Sequence, residues 1–445
     1  MTKLMMISAD THAGPPPNEY ADWLDPQYRD GVNDLIKHTE WFQTIAFELA
    51  PDEATRKIVD TRGAIASGGM TGVWDPARRL AELEAEGFVA ELIFPGDPST
   101  IGMYFSNLNR ACSAEYRAAG VKAHNRWLAE FCTYAPGRML GVAQMEPWPD
   151  IQACVRDVAW AKQCGMGAVS MPRFTGIEDN QPPVTSPAWE PFWQACVDND
   201  ITVSFHVGHL HPQGEALEAL EAANMKVTGI MDPAGEGLIH YDAGRRPFWQ
   251  LVLAGVFDRY PTLRATFTEF HCEWIPATLA HLERRFDDIR FSDSGLRLPK
   301  LRPTDYWLKN CGVTAQLRPY EVALRSQIGT DTVMFGTDYP HPEGTWPNTR
   351  EWLQVLMQGV PEADVRKILG ENAVRLYGLD AKSLAPHVER VGFAPSELIG
   401  EHPVAKALID HFQWRSGYLN RAFKYDSGAV DPIIREDEKI LMGTH

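Results

Sequence analysis

The sequence predicts an α/β fold: a (β/α)8 barrel of the TIM type with long insertions after strands 1 and 5 and a C-terminal extension. Three observations carry this expectation. Eight short β-like runs alternate with helical patterns of ten or more residues, which calls for parallel strands with right-handed crossovers, and eight is the number that closes a barrel. No Gly-x-Gly-x-x-Gly follows the first run, so an open dinucleotide-binding sheet lacks its phosphate turn. Four of the runs end on ionisable residues, a poor way to build a core and a good way to present ligands at the C-terminal rim of a barrel.

The first strand is Leu4-Met5-Met6-Ile7-Ser8-Ala9, leading into Asp10-Thr11-His12. The insertion at 13–73 follows, rich in Pro, Gly, Trp and charge; a connection that long is ordinarily a functional loop or lid with short helices of its own. Asp75-Pro76 opens a helix with an N-cap and a proline in the first turn, turns Leu80 and Leu83 inward and stops at Gly87. The second strand is Ala90 to Gly96. A helix within Asn107 to Tyr134 leads to the third, Met139 to Gln144. Asp150 is placed to cap a helix whose Ile151, Cys154, Val155 and Val158 recur at helical spacing, and Gly165 closes it.

Gly167 to Pro172 is the short fourth strand. Ser186-Pro187 starts a helix bearing Trp189, Phe192, Trp193, Cys196 and Val197 on one face, and Ile201 to Phe205 is the fifth strand, ending on His206. The second insertion, 210–244, comes next. A helix through Phe248, Leu251 and Val252 precedes the sixth strand, Leu263 to Phe267, which runs into Glu269-Phe270-His271. A helix through Ile275, Leu279, Leu282 and Phe286 crosses to the seventh, Cys311 to Ala315; another, Tyr320 to Ile328, crosses to the eighth, Thr332 to Phe335, which ends on Asp338 and His341. The helical region Glu351 to Tyr377 completes a barrel unit at 1–380. Residues 381–445 are the extension, whose Phe412, Trp414, Tyr418, Phe423 and Tyr425 suit packing on the barrel or on a partner subunit.

Composition narrows the function. Forty-two basic against fifty-nine acidic residues give a net charge of −17, which argues against nucleic acid or an anionic membrane as partner. Seven scattered cysteines without a C-x-x-C pair fit reduced thiols, and no apolar run is long enough for a signal peptide or a span; the expectation is a cytoplasmic protein acting on a small molecule.

Asp10 and His12 are two apart, so at a strand end both can reach one ion. Alone, such a pair also fits a cap or turn. His206 ends a β-branched run, where packing alone leaves its ring nitrogens without partners. Asp338 closes a buried strand and needs a cation or several N–H donors. These nitrogen and oxygen donors suit zinc, manganese or ferrous iron with a position open for substrate. Glu269 and His271 share a second i, i+2 face; one can be a further ligand and the other the acid or base, and spacing leaves the choice open. The competing role for Glu269 is an ion pair with a rim arginine such as Arg173. Glu273 is read as the start of the next helix. His341, after a proline, is either a substrate contact or a turn cap. His209 and His211 enter the second insertion, where histidines are ordinarily surface residues; His209 and Arg173 are kept as candidate substrate contacts.

Through ISADTHAGPPP, SFHVGH, TEFHCEWIP, FGTDYPHP and ILGENAVRLYGLD, from Leu4 to about Leu379, the sequence resembles the amidohydrolase-related branch of the amidohydrolase superfamily, which includes aminocarboxymuconate semialdehyde decarboxylase and resorcylate-type decarboxylases. The resemblance implies a divalent metal held by Asp10, His12, His206 and Asp338. The first-strand pair is Asp-x-His where many members have His-x-His, and counting back from Pro276 aligns neither His271 nor Glu269 cleanly with the sixth-strand histidine of relatives. GAVSMPRF offers no lysine or glutamate to bridge two ions, which favours one metal; Glu269 as a ligand leaves room for a second.

The first functional expectation is a hydrolase. A metal-activated water attacks the acyl carbon of an amide, ester, lactone or thioester, with Asp338, His271 or Glu269 handling the proton. Trp23, Trp41, Phe42, Phe47 and Trp74 suit a partly apolar substrate. The second expectation is non-oxidative decarboxylation of an aromatic or enoic acid, and the third is a binding barrel without catalysis. The expected assembly is a homodimer.

Overall fold

A computed structural model of the protein describes residues 3–16, 19–31, 53–96, 113–171, 182, 184–206, 246–291, 297–341 and 343–415. Eight parallel strands pair in sequence order: β1 Ile7–Ala13, β2 Ala90–Pro95, β3 Met139–Gln144, β4 Ala168–Ser170, β5 Thr202–His206, β6 Ala265–Thr268, β7 Cys311–Ala315 and β8 Val333–Phe335. Every strand residue is buried, as strands covered by helices on one side and by one another on the other must be.

The ring closes just beyond β8. Thr11 bridges Tyr339 in parallel, the His12 amide donates to the Tyr339 carbonyl at 2.7 Å, and the Asp338 amide donates to the Asp10 carbonyl at 2.9 Å. The closure therefore runs through the residues that carry the charged strand ends. Gly336 permits it: a Cβ there would lie 2.5 Å from the Asp10 Cβ and 3.0 Å from Thr314 Cγ2.

Helices cover the outside for reasons readable in their termini. The Asp75 side chain accepts from the Ala77 and Arg78 amides and Pro76 occupies the first turn of Pro76–Ala85; Ser113 caps Ala114–Cys132. Asp150 departs from expectation. It sits at the N-cap of Ile151–Gln163, with extended backbone (φ −158°, ψ 173°), but its side chain makes no capping bond. Asn125 fixes Ala114–Cys132 to β3 with a reciprocal pair, donating to the Gln144 carbonyl at 2.8 Å and accepting from its amide at 2.9 Å. Aromatic rings fill the far side of the barrel, where Trp307 meets Phe248, Phe267 and Trp274 at centroid separations of 5.1, 5.9 and 5.9 Å.

The first insertion carries short helices, among them Tyr20–Trp23 and Glu53–Val59; Trp41, Phe42, Phe47 and all of 210–244 lie outside the described residues. Beyond residue 380, Ala381–Val391 turns Leu384 and Val388 into the cluster that holds Ile7 and Val89, and the Leu4 amide donates to the Phe393 carbonyl at 2.8 Å. Phe412 packs on Trp352 at 4.9 Å; Tyr418, Phe423 and Tyr425 are outside the described residues, as is the Trp414 side chain. Among the described residues no helix is long and apolar enough to cross a membrane.

Candidate metal centre

The charged ends of β1, β5, β6 and β8 converge. Asp10, His12, His206 and Glu269 offer ligand atoms that all lie within 4.8 Å of one another, and so do His12, Glu269, Asp338 and His341. His12 Nε2 is 3.2 Å from Asp338 Oδ1 and 3.6 Å from Asp10 Oδ1; His206 Nε2 is 3.4 Å from Asp10 Oδ1 and 3.6 Å from Glu269 Oε2. Asp10, His12, His206 and Asp338 are all buried; Glu269 and His341 retain some exposure.

Local bonds aim these groups. His12 Nδ1 lies 3.2 Å from the Pro95 carbonyl, an acceptor only, so Nδ1 carries the hydrogen and Nε2 presents its lone pair to the cluster. Gln316 donates to Asp338 Oδ2 at 2.7 Å, leaving Oδ1 turned toward His12. His341 stacks on His12 at 3.9 Å and places Nδ1 2.9 Å from Asp338 Oδ1. Asp338 and Glu269 both have positive φ, 55° and 64°, a conformation side chains avoid unless the surroundings impose it, and one concentrated at functional sites.

The electrostatics call for a cation. Among the described residues no lysine or arginine forms an ion pair with Asp10, Glu269 or Asp338. Burial raises Asp10, and burial together with the Asp338 and Asp10 charges pushes Glu269 well above the usual carboxylate range. Burial holds the His12 imidazole down to about 3, so it is neutral. Asp338 goes the other way: burial opposes its charge, but His341 outweighs that and lowers it, and Asp338 in turn lifts His341 to about 9. Asp10 Oδ2 and His12 Nε2 are buried without a hydrogen-bond partner. Unsatisfied lone pairs of this kind are costly unless a cation takes them, so the donor set fits a divalent metal ion.

The sixth strand differs from expectation. Glu269 and His271 do not share a face, because both sit past the last paired residue, Thr268, with φ of 64° and 53°, which breaks the alternation of the pleat. Glu269 reaches the cluster. His271 turns instead to Arg318, whose Nη2 donates to His271 Nε2 at 3.0 Å, with His271 Nδ1 3.5 Å from Glu321 Oε1. Glu273, directly before the helix Trp274–Phe291, belongs with His271 and Glu321 in this second group, where the Arg318 guanidinium supplies the positive charge. Arg173 and His209 lie outside the described residues. Gln316 and the buried Arg79 beneath β1 were not singled out by sequence. The one signal was Glu91, a carboxylate inside the apolar run Ala90–Pro95, which needs a buried cation.

Solved structures similar in fold include an amidohydrolase from Mycobacterium avium subsp. paratuberculosis (19% identity, TM-score 0.63, covering 84% of this chain and 99% of that one). Two others are 5-carboxyvanillate decarboxylase from Sphingomonas paucimobilis (18%, 0.58, 85% and 100%) and dihydroxybenzoic acid decarboxylase from a Polaromonas species, with bound manganese and the inhibitor 2-nitroresorcinol (18%, 0.59, 86% and 99%). These similar structures are mainly decarboxylases, which overturns the hydrolysis placed first in the sequence reading. A family model described as amidohydrolase matches residues 10–379, most of the 445-residue chain. The chain therefore belongs to the amidohydrolase family and is an enzyme of the amidohydrolase superfamily.

Proposed function

We propose that the protein is a metal-dependent, non-oxidative decarboxylase of an aromatic or enoic carboxylic acid. In this reading Asp10, His12, His206 and Asp338 hold one divalent cation, and Glu269 delivers the proton that replaces CO2. The observation that carries it is Glu269, a carboxyl group kept high by burial, standing 3.6 Å from His206 at the edge of the buried donor set. The decarboxylases of the same fold support the reaction type, and the manganese of the Polaromonas structure makes Mn2+ the ion to test first.

When bound, a divalent cation supplies an anchor for the substrate carboxylate and a neighbouring hydroxyl. The chain's own groups do the rest. The bond from the ring or alkene carbon to the carboxylate breaks, its electron pair stays on that carbon, and CO2 departs. Glu269 then gives its proton to the same carbon and regains one from solvent, so the reaction needs no oxidant and takes no oxygen from water. Asp338, held ionised by His341, is no proton donor in this scheme; His341, partly exposed and stacked on His12, would meet an anionic group of the substrate. Arg173 and His209 remain candidates for the same task, and Arg173→Ala is expected to raise KM more than it lowers kcat. A homodimer is the expected assembly, readable by light scattering.

The test is direct. Mn2+-loaded protein is incubated with 2,6-dihydroxybenzoate, 5-carboxyvanillate and a panel of related hydroxybenzoic and enoic acids. Release of one CO2 per acid consumed supports the proposal; turnover of esters or lactones with no CO2 from any acid overturns it.

A further inference from the structure

The helix Pro76–Ala85 buries an arginine directly beneath the seam that closes the barrel. Arg79 is 1% exposed. Its Nε and Nη2 donate to the two oxygens of Glu91, at 2.8 Å each, and its Nη1 donates to the His12 carbonyl at 2.7 Å. The guanidinium also lies over the Tyr339 ring, 5.1 Å from its centroid. The planar fork thus makes three bonds of fixed direction to two groups, and turns its face to a third.

Each contact bears on a strand that carries a cluster residue or on the neighbour paired with one. The His12 carbonyl accepts from Arg79 while the His12 amide donates to Tyr339, so the peptide units on both sides of His12 are fixed. Tyr339 follows Asp338, and its ring is held between Arg79 and Trp346 while its hydroxyl donates to the Gly69 carbonyl at 2.6 Å. Glu91 belongs to β2, which pairs with β1, and it anchors the guanidinium. One side chain therefore ties together β1 at His12, β2 at Glu91 and the segment after β8 at Tyr339.

We infer that Arg79 is a positioning residue for the metal centre: with Glu91 it fixes the backbone that aims His12 and Asp338, and so sets the affinity of the site for a divalent cation. This rests on the metal-binding reading above. Arg79 does not face the cluster and takes no part in proton transfer; a buried ion pair so close to a catalytic rim is otherwise a poor source of stability, since an apolar pair of similar volume often serves as well. Its three directed bonds give geometry, which an apolar pair cannot.

Mn2+ affinity of the metal-free protein, read by calorimetry and by the electron paramagnetic resonance line shape of the bound ion, tests this separately from turnover. The wild type comes first: if it binds no Mn2+, the metal reading itself fails. If it binds, the double variant Arg79→Met/Glu91→Leu removes the pair without stranding a charge. The expected result is a Mn2+ Kd about 10–100-fold weaker, the range typical of lost outer-sphere supports, with a broadened line shape and an urea midpoint for the metal-free protein close to wild type. A double variant that folds and binds Mn2+ as tightly as wild type overturns the inference. Should it not fold, Arg79→Lys carries the test, since lysine keeps the charge but cannot serve Glu91 and the His12 carbonyl in fixed directions. A weakening of threefold or more supports the inference, and an unchanged Kd overturns it.

Discussion

Gly336→Ala tests how the barrel seam supports the site. The added methyl would sit 2.5 Å from the Asp10 Cβ, 3.0 Å from Thr314 Cγ2 and 3.3 Å from the Asp10 Cα, whereas ordinary contact begins at 3.4 Å. Gly336 lies outside the left-handed region, so the cost is steric and not conformational. Relief requires β8 and β1 to part by about 1 Å, and overpacking of a close-packed interior by one methyl costs about 1–3 kcal/mol. The displacement falls on Asp10, so Mn2+ affinity is expected to drop about 10–100-fold as well. Urea unfolding of the metal-free protein reads the first effect and calorimetric Mn2+ titration the second. Gly359→Ala is the control: it has open space around it and a φ of +72°, so it is expected to lose about 1 kcal/mol and no metal affinity. If Gly336→Ala leaves both stability and Mn2+ binding at wild-type values, the tight seam between Gly336 and Asp10 is not what sets the site.

Glu269→Gln separates proton donor from ligand: kcat is expected to fall about 10^2–10^4-fold with Mn2+ affinity kept, and loss of Mn2+ binding would instead make Glu269 a ligand. Trp307→Ala removes a fully buried indole whose Nε1 donates to the Ile328 carbonyl at 2.8 Å, so urea denaturation is expected to record a loss of about 3–5 kcal/mol; a loss below about 1 kcal/mol contradicts the packing described. Glu84 receives Arg390 and Arg138, which outweigh the opposing effect of partial burial and lower its carboxyl to about 2 from 4.5. A depressed carboxylate stabilises above its unfolded value and loses that contribution as pH falls, so the deficit of Glu84→Gln, about 1 kcal/mol at neutral pH for so exposed a group, is expected to shrink from about pH 4.5 toward pH 2. A deficit that does not change with pH contradicts this.

The eight strands were legible because each is an apolar run of strand length between helical periods, and β3 and β7 begin and end where the sequence places them. The convergence of Asp10, His12, His206 and Asp338 was legible for one reason: an apolar run that stops on a carboxylate or imidazole has little structural use for it. The sixth strand was not, because the alternation that puts residues i and i+2 on one side holds only while the backbone stays extended. Positive φ at Glu269 and His271 comes from the turn beyond Thr268, which no local pattern in TEFHCEWIP announces. Arg79 was hidden differently. In Arg78-Arg79 both residues look like the solvent side of an amphipathic helix, and only the tertiary fold distinguishes Arg78, paired with Glu82 near the surface, from Arg79, buried against Glu91.

Decarboxylation and hydrolysis part company at the carbon that loses the carboxylate. Turnover of a responsive acid by the Mn2+ enzyme in deuterium oxide enriched in oxygen-18, read by mass spectrometry of the product, tests the proposed chemistry most directly. Proton delivery by Glu269 predicts one deuterium on the vacated carbon and no oxygen-18 in the organic product. Oxygen-18 in the product without release of CO2 would contradict it.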